Sequence, residues 1–536
     1  MFLTSFDKNN KKQQLRRELT PLNVWALSFG CVIGWSAYVM PSGLFLPSAG
    51  PLGTIIAMEL TTITMLVISY SYGYMIKKFP TAGGEFIFAK MAFGDWHGFF
   101  CAWFLGLSYI AVIPLNATAL NLIMRAMFGD LFQFGFHYTI AGYDVYMGEI
   151  LVALAAIGIL FFITSKGVLV TGKLQTFMVF ILLGGIFIIL GAAVFSPIAV
   201  SSNLHPMFLP ATGNFIKGFF AQIVAVLVTG PQSFVGFDTV PQFIEETNFS
   251  SNKIKVIMDM TIIAGSFVYV ALTILACSVF PEGYSSWFEY VSDIPNLTGV
   301  KSIATLNAAY MLLGTTGLVI IFFSVIAAML TGIVGFYSAT ARLLYSMSRD
   351  GMLPSWFSKL NDRDIPINAG IFCVSMAAVT SLFGRAVLGW VFDMASVGGA
   401  VGFAYTCMAA CRYAMQEQRR DIMILGAIGA ALSGMMALLL FVPIEGLNVS
   451  LSHESYLMLI VWTVIGVAFH VWVGLDKKGQ TEYADLEELV KKSLENIDVA
   501  TEIKADDFAP IRDFDMEWEW ESKEDMSEYD SENDKQ

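Results

Sequence analysis

Residues 22–46 read LNVWALSFGCVIGWSAYVMPSGLFL, an almost uninterrupted apolar run. A run of about 20 apolar residues is long enough to cross the hydrocarbon core of a bilayer as a helix. Gly30, Gly34, Ser36 and Pro41 punctuate the middle of this run. Glycine permits unusual dihedral angles and proline removes a backbone donor. The stretch therefore predicts a transmembrane helix that is broken near its centre.

A second run with the same character follows later in the chain. The segment Thr229-Gly-Pro-Gln-Ser-Phe-Val-Gly-Phe-Asp238 interrupts the sixth apolar run. The two interruptions are five spans apart, so the two broken helices would cross the membrane in opposite senses. Glycine and proline are common in membrane helices, so one break alone is weak evidence. Two breaks at this offset favour two inverted repeats of five helices each, with free backbone groups at mid-membrane.

The composition agrees with a chain that lies mostly in lipid. The 536 residues are 56% hydrophobic and only 14% charged, whereas soluble proteins average about 25% charged residues. We predict an all-α integral membrane protein with about twelve transmembrane helices, which form two inverted five-helix repeats followed by two further helices. The apolar runs are 22–46, 52–76, 97–127, 147–165, 173–195, 217–243, 257–280, 305–346, 367–385, 388–412, 421–443 and 455–475.

The distribution of charge predicts the orientation. Lysine and arginine concentrate in the amino tail and in alternate connections, while the opposite connections hold only Arg125, Lys217, Lys301 and Arg385. The positive-inside rule then places both termini in the cytoplasm. The net charge of −13 arises mainly from acids after about residue 480. The predicted organisation is an amino tail (1–21), a first repeat (22–195), a second repeat (217–412), helices 11 and 12 (421–475) and an acidic tail (476–536).

Acidic residues inside apolar runs are costly and therefore informative. Glu59, Asp238 and Asp393 are the candidates, and Asp238 directly follows Phe237 just past the sixth-span break. We interpret Phe237 and these acids as candidates for gating or coupling. The alternative is that each acid is buried and satisfied by backbone or hydroxyl groups.

Other functional classes receive little support. The chain has no GxxxxGK[ST] loop for a nucleotide, no HExxH helix, and five scattered histidines. We expect no enzymatic activity, no cofactor and no nucleic-acid partner. A channel would not explain two oppositely oriented broken helices. A secondary carrier of a small polar solute is favoured, and a nutrient sensor derived from a carrier is the alternative.

Three separated motifs resemble one family. They are Phe79-Pro-Thr-Ala-Gly-Gly-Glu-Phe-Ile-Phe-Ala-Lys-Met-Ala-Phe-Gly94, then Phe234-Val-Gly-Phe-Asp238 with Glu245 and Glu246, then Arg342-Leu-Leu-Tyr-Ser-Met-Ser-Arg-Asp-Gly-Met-Leu-Pro354. Together they resemble amino acid permeases of the amino acid-polyamine-organocation superfamily. The resemblance implies a leucine-transporter-type fold that moves an amino acid or related amine by alternating access, as a symporter or an exchanger. A carrier of another organic cation or a polyamine is the alternative.

The resemblance also implies a binding site at the two breaks. The substrate carboxylate would bind backbone N–H groups of the first break, and the amine would bind carbonyl groups of both breaks. The carboxylate residues would be Gly34, Trp35, Ser36 and Ala37, and the amine residues Val32, Ile33, Thr229 and Gln232, with Ser233 as a further candidate. Asn116, in the third span, either faces this site or bonds a neighbouring helix.

Two positions depart from the family pattern. Trp35-Ser36 stands where relatives have a small residue and a glycine, so Trp35 either shapes the site or points away between helices. Pro231-Gln232 stands where relatives often have an aromatic gate, and Gln232 either binds substrate or caps the broken helix.

The coupling ion is left open between a proton and sodium. The run 177–190 lacks the lysine of proton-coupled relatives, while hydroxyls such as Ser324 and Thr331 would suit a weak sodium site. We expect a monomer or homodimer in the lipid bilayer of the plasma (cell inner) membrane.

Overall fold

The computed structural model describes residues 15–210, 215–442 and 450–495. The described chain is almost entirely helical, and ten of its helical stretches are long and apolar enough to cross a membrane. Two shorter apolar helices, Pro21–Val32 and Ile367–Ser381, accompany them. Each of the twelve predicted spans overlaps at least one of these helices, so the prediction of an all-α multi-pass membrane protein is confirmed.

The helices are numbered along the chain. They are α1 (Pro21–Val32), α2 (Ser36–Met40), α3 (Leu46–Lys78), α4 (Glu85–Phe93), α5 (Asp95–Phe128), α6 (Met147–Thr164), α7 (Val168–Val194), α8 (Phe215–Thr229), α9 (Asn252–Ser278), α10 (Trp287–Asp293), α11 (Ala304–Arg349), α12 (Ile367–Ser381), α13 (Val387–Gln416), α14 (Arg420–Phe441) and α15 (His453–Glu495). A hairpin of β1 (His137–Ile140) and β2 (Tyr143–Tyr146) joins α5 to α6.

The first membrane crossing consists of α1, α2 and a π-helical turn, Pro41–Phe45. Helix α1 begins with a reciprocal cap, in which the Thr20 side chain accepts from the Asn23 N–H and the Asn23 side chain accepts from the Thr20 N–H. Such a capping box satisfies two N–H groups at a helix start. Helical geometry stops at Ile33 and resumes at Ser36. The crossing is therefore interrupted within the segment that the glycines punctuate.

The sixth crossing is interrupted in the same manner. Helix α8 ends at Thr229, a 3₁₀ turn covers Gly230–Phe234, and a second 3₁₀ segment covers Phe237–Glu246. Gly236 separates the two turns with φ of +124°, a backbone conformation that residues with a Cβ rarely adopt.

One predicted span needs a correction. The run 305–346 was expected to form a single crossing, but α11 changes direction at Gly314, where φ is +60° and ψ is −144°. The residues before Gly314 thus form a separate helical segment. Helix α3 bends similarly at Gly50, whose φ is +66° and which precedes Pro51.

Burial separates the central helices from the peripheral ones. The most apolar window of α5 is 94% buried, compared with 22% for α14 and 11% for the apolar part of α15. Helix α5 packs against α4, α11 and α13, and α7 packs against α1 and α11. The first broken crossing packs against α7 and α11 of this set, whereas few residues of α14 and of the apolar part of α15 are buried.

Two compact units are present, one ending at Val473 and one beginning at Gly474. The first unit holds the breaks. Of the predicted amino tail (1–21) and acidic tail (476–536), residues 1–14 and 496–536 lie outside the described residues, while 476–495 continue helix α15. The division into two inverted repeats stays a prediction.

Candidate functional site

The two helix breaks touch each other. A Cβ atom on Gly236 would lie 2.5 Å from Cys31 Cβ and 3.0 Å from the Val32 backbone nitrogen. The Ser28 hydroxyl also donates to the Gly236 carbonyl over 3.3 Å. Because Gly236 has no side chain, the backbone of the second break can lie directly on the first. The interrupted backbones of the two crossings therefore lie next to each other.

The first break leaves several backbone N–H groups available. Within the described part of the chain, no protein group accepts from the N–H groups of Gly34, Ser36 or Ala37. The Trp35 N–H is the exception, because it donates to Asn116 Oδ1 over 3.2 Å. A buried N–H without an acceptor costs free energy, so this segment suits a ligand that brings an acceptor. These four residues are the ones predicted to hold a carboxylate.

Asn116 is fixed between two backbones. Its Nδ2 atom donates to the Val112 carbonyl over 3.1 Å, which sets the orientation of the amide. A Cβ on Gly34 would lie 2.8 Å from Asn116 Oδ1, and one on Gly332 would lie 2.7 Å from Nδ2. The side chain is 1% exposed. Asn116 therefore reaches the break, and it binds one of the N–H groups that were predicted for substrate.

A residue that the sequence analysis missed bridges the same break. The hydroxyls of Tyr269, in α9, and Ser36 are 2.7 Å apart, and the Tyr269 hydroxyl donates to the Val32 carbonyl over 3.3 Å. Its ring packs against Phe45 and Phe234. The predicted carbonyl ligand of Val32 is therefore engaged by Tyr269 in this conformation, whereas Ser36 is engaged through its hydroxyl and not through its backbone N–H. The Ile33 carbonyl accepts no hydrogen bond from the described residues.

The predicted residues of the sixth crossing lie on the first turn of the break. The Thr229 hydroxyl donates back to the Ala225 and Val226 carbonyls. Ser233 is 3% exposed, and Gln232 Oε1 is buried without a hydrogen-bond partner. An orphaned buried oxygen of this kind needs a donor. Trp35 on the opposite side is half-buried and packs against the apolar core.

Asp238 lies just beyond the second break and is fully buried. Its Oδ1 atom accepts from the Gly236 N–H over 2.7 Å and its Oδ2 atom accepts from the Tyr109 hydroxyl over 3.0 Å. Phe237, also fully buried, packs its ring against Tyr72 and Phe403. Asp238 thus couples the backbone of the break to α5.

Glu85, at the start of α4, lies in the same region. Glu85 Oε1 accepts from the Tyr72 hydroxyl over 2.8 Å, and Oε2 accepts from Gln242 Nε2 over 2.9 Å. In the sequence, Glu85 stands within the first of the three motifs that resemble the family, and no role is predicted for it. Burial and the nearby Asp238 carboxylate raise the pKa of Glu85 well above its usual value.

The other two predicted acids have different surroundings. Asp393, in α13, accepts from the Ser455 hydroxyl over 2.6 Å and from the Ser452 N–H over 3.3 Å. It thereby holds the beginning of α15. Glu59 is exposed on α3, where the Ser266 hydroxyl donates to it over 3.3 Å. The structure does not bring either acid to the two breaks.

The pair of hydroxyls considered for sodium has separate partners. Ser324 donates to the Leu182 carbonyl over 2.6 Å and is hydrogen-bonded to the Tyr38 hydroxyl. Thr331 donates to the Ala328 carbonyl over 2.8 Å. The two hydroxyls share no hydrogen-bond partner. Gln175 of α7 also enters this region, and its Nε2 donates to the Thr331 carbonyl over 3.1 Å.

Beyond the second break, two bidentate ion pairs join the 3₁₀ segment to α11. Arg342 pairs with Glu246 at 2.5 and 2.8 Å, and both side chains are at most 3% exposed. Arg349 pairs with Glu245 at 2.7 and 2.8 Å, and Glu245 also accepts from the Ala82 N–H. All four side chains belong to motifs that carried the family resemblance.

The model of the family described as "Amino acid permease" matches residues 19–468. This range includes both breaks, both ion pairs and the Glu85 region. The chain belongs to the amino acid permease family. Proteins of this family are permeases and transporters, not enzymes, and membership supports amino acid transport across a membrane.

Curated relatives are similar at low identity. The chain is 23% identical to cationic amino acid transporter 3, mitochondrial, of Arabidopsis thaliana, over 75% of this chain and 64% of the plant protein. It is 24% identical to the branched-chain amino acid permease BcaP of Lactococcus lactis, over 67% and 74% of the two chains. It is also 24% identical to the gamma-aminobutyric acid permease of Escherichia coli, over 70% and 74%. These permeases are named for different substrates.

Proposed function

We propose that this permease is a secondary active transporter that carries an amino acid, or a closely related amine, by alternating access. The observation that carries the proposal is the contact between the two breaks, with backbone N–H groups of Gly34, Ser36 and Ala37 left without protein acceptors. A carboxylate offers two oxygens that accept from such groups, and charge-assisted hydrogen bonds of this kind are strong. The α-carboxylate is the group that all amino acids share.

The amine would bind on the carbonyl side of the same contact. The Ile33 carbonyl is free of described donors, and Gln232 Oε1 is a buried acceptor without a partner. An ammonium group carries three donors and no acceptor. Val32 would join this set once the Tyr269 hydroxyl moves away from its carbonyl.

Two residues adjust the site for its ligand. Asn116 accepts the hydrogen bond of the Trp35 N–H, so the other three N–H groups of the first break remain for the carboxylate. Tyr269 occupies Ser36 and Val32, so substrate binding displaces it or adds to its hydrogen bonds. We infer that Tyr269 turns with the first break when the site opens.

Orientation and location follow from the charge pattern. We propose that both termini are cytoplasmic and that the protein lies in the plasma (cell inner) membrane as a monomer or homodimer, because lysine and arginine concentrate on the side of the amino tail. On this orientation, the ion pairs of Arg342 and Arg349 seal the cytoplasmic side of the site.

Asp238 is the acid best placed to respond to movement of the break, since it accepts from the Gly236 N–H. We expect Asp238→Asn to lower transport with a modest effect on expression. The measurement is uptake by proteoliposomes as a function of pH. An unchanged rate and an unchanged pH profile would contradict this role.

The first experiment is thermal stabilisation of the purified protein against separate panels of amino acids, polyamines and amino acid derivatives. A ligand that binds only the folded state raises apparent stability by mass action. We expect stabilisation by one group of amino acids. Stabilisation by polyamines alone would replace the proposed substrate class, and a ligand that binds without any flux in liposomes would identify a sensor.

A further inference from the structure

The buried acids of the described residues divide into two kinds. Four glutamate or aspartate side chains are at most 5% exposed: Glu85, Glu149, Asp238 and Glu246. Glu149 is paired with Arg125, and Glu246 is paired with Arg342. Glu85 and Asp238 have no such partner in the ion pairs of the described residues. They are also close enough for each charge to affect the other.

Every element around Glu85 presents a neutral or acidic group. Helix α3 presents the Tyr72 hydroxyl, and the 3₁₀ segment presents Gln242 and Asp238. Helix α5 presents Cys101, whose thiol lies 3.7 Å from the Glu85 carbonyl, while Gly402 of α13 faces the side-chain stem. Tyr109, also of α5, binds Asp238.

Two carboxylates in such surroundings cannot both be charged at modest cost. Transfer of an ionised carboxylate to a buried site is very unfavourable unless a cation or several donors compensate it, and two neighbouring acids usually share a proton. Asp238 receives two donors, the Gly236 N–H and the Tyr109 hydroxyl, and both suit a carboxylate. Glu85 also receives two donors, but one of them is the Gln242 amide, which can present its oxygen instead, whereas the Gly236 N–H can only donate. Glu85 is therefore the acid better placed to hold the proton.

Gln242 can pair with either protonation state of Glu85. Its Nε2 atom donates to Glu85 Oε2, while its Oε1 atom is buried without a hydrogen-bond partner. The oxygen and nitrogen of an amide are interchangeable by a half-turn. After that turn, the amide oxygen accepts from a protonated Glu85, and the nitrogen takes the position that the unpartnered oxygen leaves.

We propose that Glu85 is the proton-binding group of this transporter and that the Glu85–Asp238 pair holds one proton while the site is closed. The inference rests on the proposed transport function and deepens it, since it makes the proton the coupling ion. Glu85 touches neither break, so it acts on transport through Asp238 and Gln242.

The geometry provides the link between proton and substrate. The Gly236 N–H binds Asp238, and the same glycine lies on Cys31 and Val32 of the first break. When the second break moves to admit or release substrate, Asp238 loses or gains this donor. Water that enters from the opened side then takes the Glu85 proton as hydronium and leaves the carboxylate, and the reverse step reloads Glu85 from the other side.

The test uses the full chain in liposomes, with a mixture of radiolabelled L-amino acids as the probe. Two modes are compared: counterflow at equal pH and net uptake driven by an inward proton gradient. For Glu85→Gln, which resembles the protonated acid, we expect counterflow within about twofold of wild type and loss of most gradient-driven uptake. Glu282→Gln, in an exposed loop, is the matched control and should retain both.

A second measurement does not need transport. Infrared difference spectra of the wild-type protein during a pH titration should show a protonated carboxyl band that persists at neutral pH, and Glu85→Gln should remove it. Tyr72→Phe deletes one hydrogen-bond donor to Glu85 and should shift the titration to higher pH. This variant tests the assignment even if Glu85→Gln fails to fold.

The outcomes separate the two proposals. If wild type shows no counterflow with any amino acid, the proposed function fails, whereas the infrared band still tests the proton site. If wild type transports and Glu85→Gln keeps its gradient-driven uptake, or if the wild-type spectrum has no such band at neutral pH, the role of Glu85 is refuted.

Discussion

Replacement of Gly236 by alanine tests the contact between the two breaks. The new Cβ would lie 2.5 Å from Cys31 Cβ, 2.9 Å from the Cys31 carbonyl carbon and 3.0 Å from the Val32 nitrogen. Two of these three atoms belong to the backbone, so no side-chain rotation relieves the overlap. The φ of +124° adds a cost of about 1–2 kcal/mol for a residue with a Cβ. Overpacking adds about 1–3 kcal/mol, which gives a total of about 2–5 kcal/mol.

The assay is thermal unfolding in detergent, followed by tryptophan fluorescence. Unfolding of a large membrane protein is commonly irreversible, so midpoints are compared at one scan rate. Gly184→Ala is the control, because Gly184 lies within α7 and a Cβ there would meet nothing within 4 Å. Alanine at such a position should leave the midpoint equal or slightly higher, while Gly236→Ala should lower it by several degrees. Equal midpoints for Gly236→Ala and wild type would refute the close approach of the breaks.

Four further predictions follow from the same structure. Asn116→Ala leaves the Trp35 N–H without its acceptor and creates a cavity beside the first break, so we expect the free energy of unfolding to fall by about 1–3 kcal/mol. An unchanged thermal unfolding midpoint would argue against the hydrogen bond. Arg342→Ala leaves the buried Glu246 charge without a partner and should lower the free energy of unfolding by about 3–5 kcal/mol. The double variant with Glu246→Gln should recover part of this loss. If the losses of the two single variants simply add in the double variant, the ion pair is contradicted. The pKa of Glu85 is raised in the folded protein, so its contribution to stability is complete below the ordinary pKa of about 4.3 and is lost as pH rises from there to the raised pKa, by about 1.4 kcal/mol per pH unit. Thermal midpoints in this pH range should therefore slope less steeply in Glu85→Gln, and parallel curves would contradict this. Trp35→Gly restores the small residue of the family and should broaden the range of accepted side chains in competition assays, whereas an identical substrate profile would show that Trp35 only packs.

The all-α class and the order of the apolar helices could be predicted from sequence because the apolar runs have the length of a bilayer crossing. Gly34 and Pro231 identified the broken crossings, since each interrupts a run for a local reason. The bend at Gly314 was missed, because one glycine in a long apolar run carries no clear signal. The helix breaks could therefore be predicted from local residue types, whereas the changes of helix direction could not.

The site was predicted in part. The segments 32–37 and 229–233 were identified through the family resemblance, and the structure brings the two breaks into contact. Tyr269 was missed because its hydroxyl lies in an apolar helix and meets the break only through tertiary packing. The hydrogen bond between Asp393 and Ser455 could not be foreseen for the same reason, since the two residues are distant in sequence, and the coupling role of Asp393 stays a prediction.

Glu85 shows a different limit of sequence reasoning. It follows Gly84 in a connection between two predicted spans, where an acid is ordinarily exposed to water. The structure instead buries it completely, because α4 packs against α5 and α13. Burial of a connecting segment is a tertiary property, and it leaves no periodic pattern in the sequence.

The most direct test of the central claim is counterflow in proteoliposomes. Vesicles with the purified full chain are loaded with unlabelled L-amino acids and diluted into a trace of the same amino acids in radiolabelled form. If the protein transports amino acids through the site at the two breaks, the radiolabel accumulates transiently inside the vesicles, and Gly236→Ala abolishes this accumulation. Label that never rises above that of protein-free vesicles, for a mixture that stabilises the protein against heat, would contradict transport and leave a binding protein in its place.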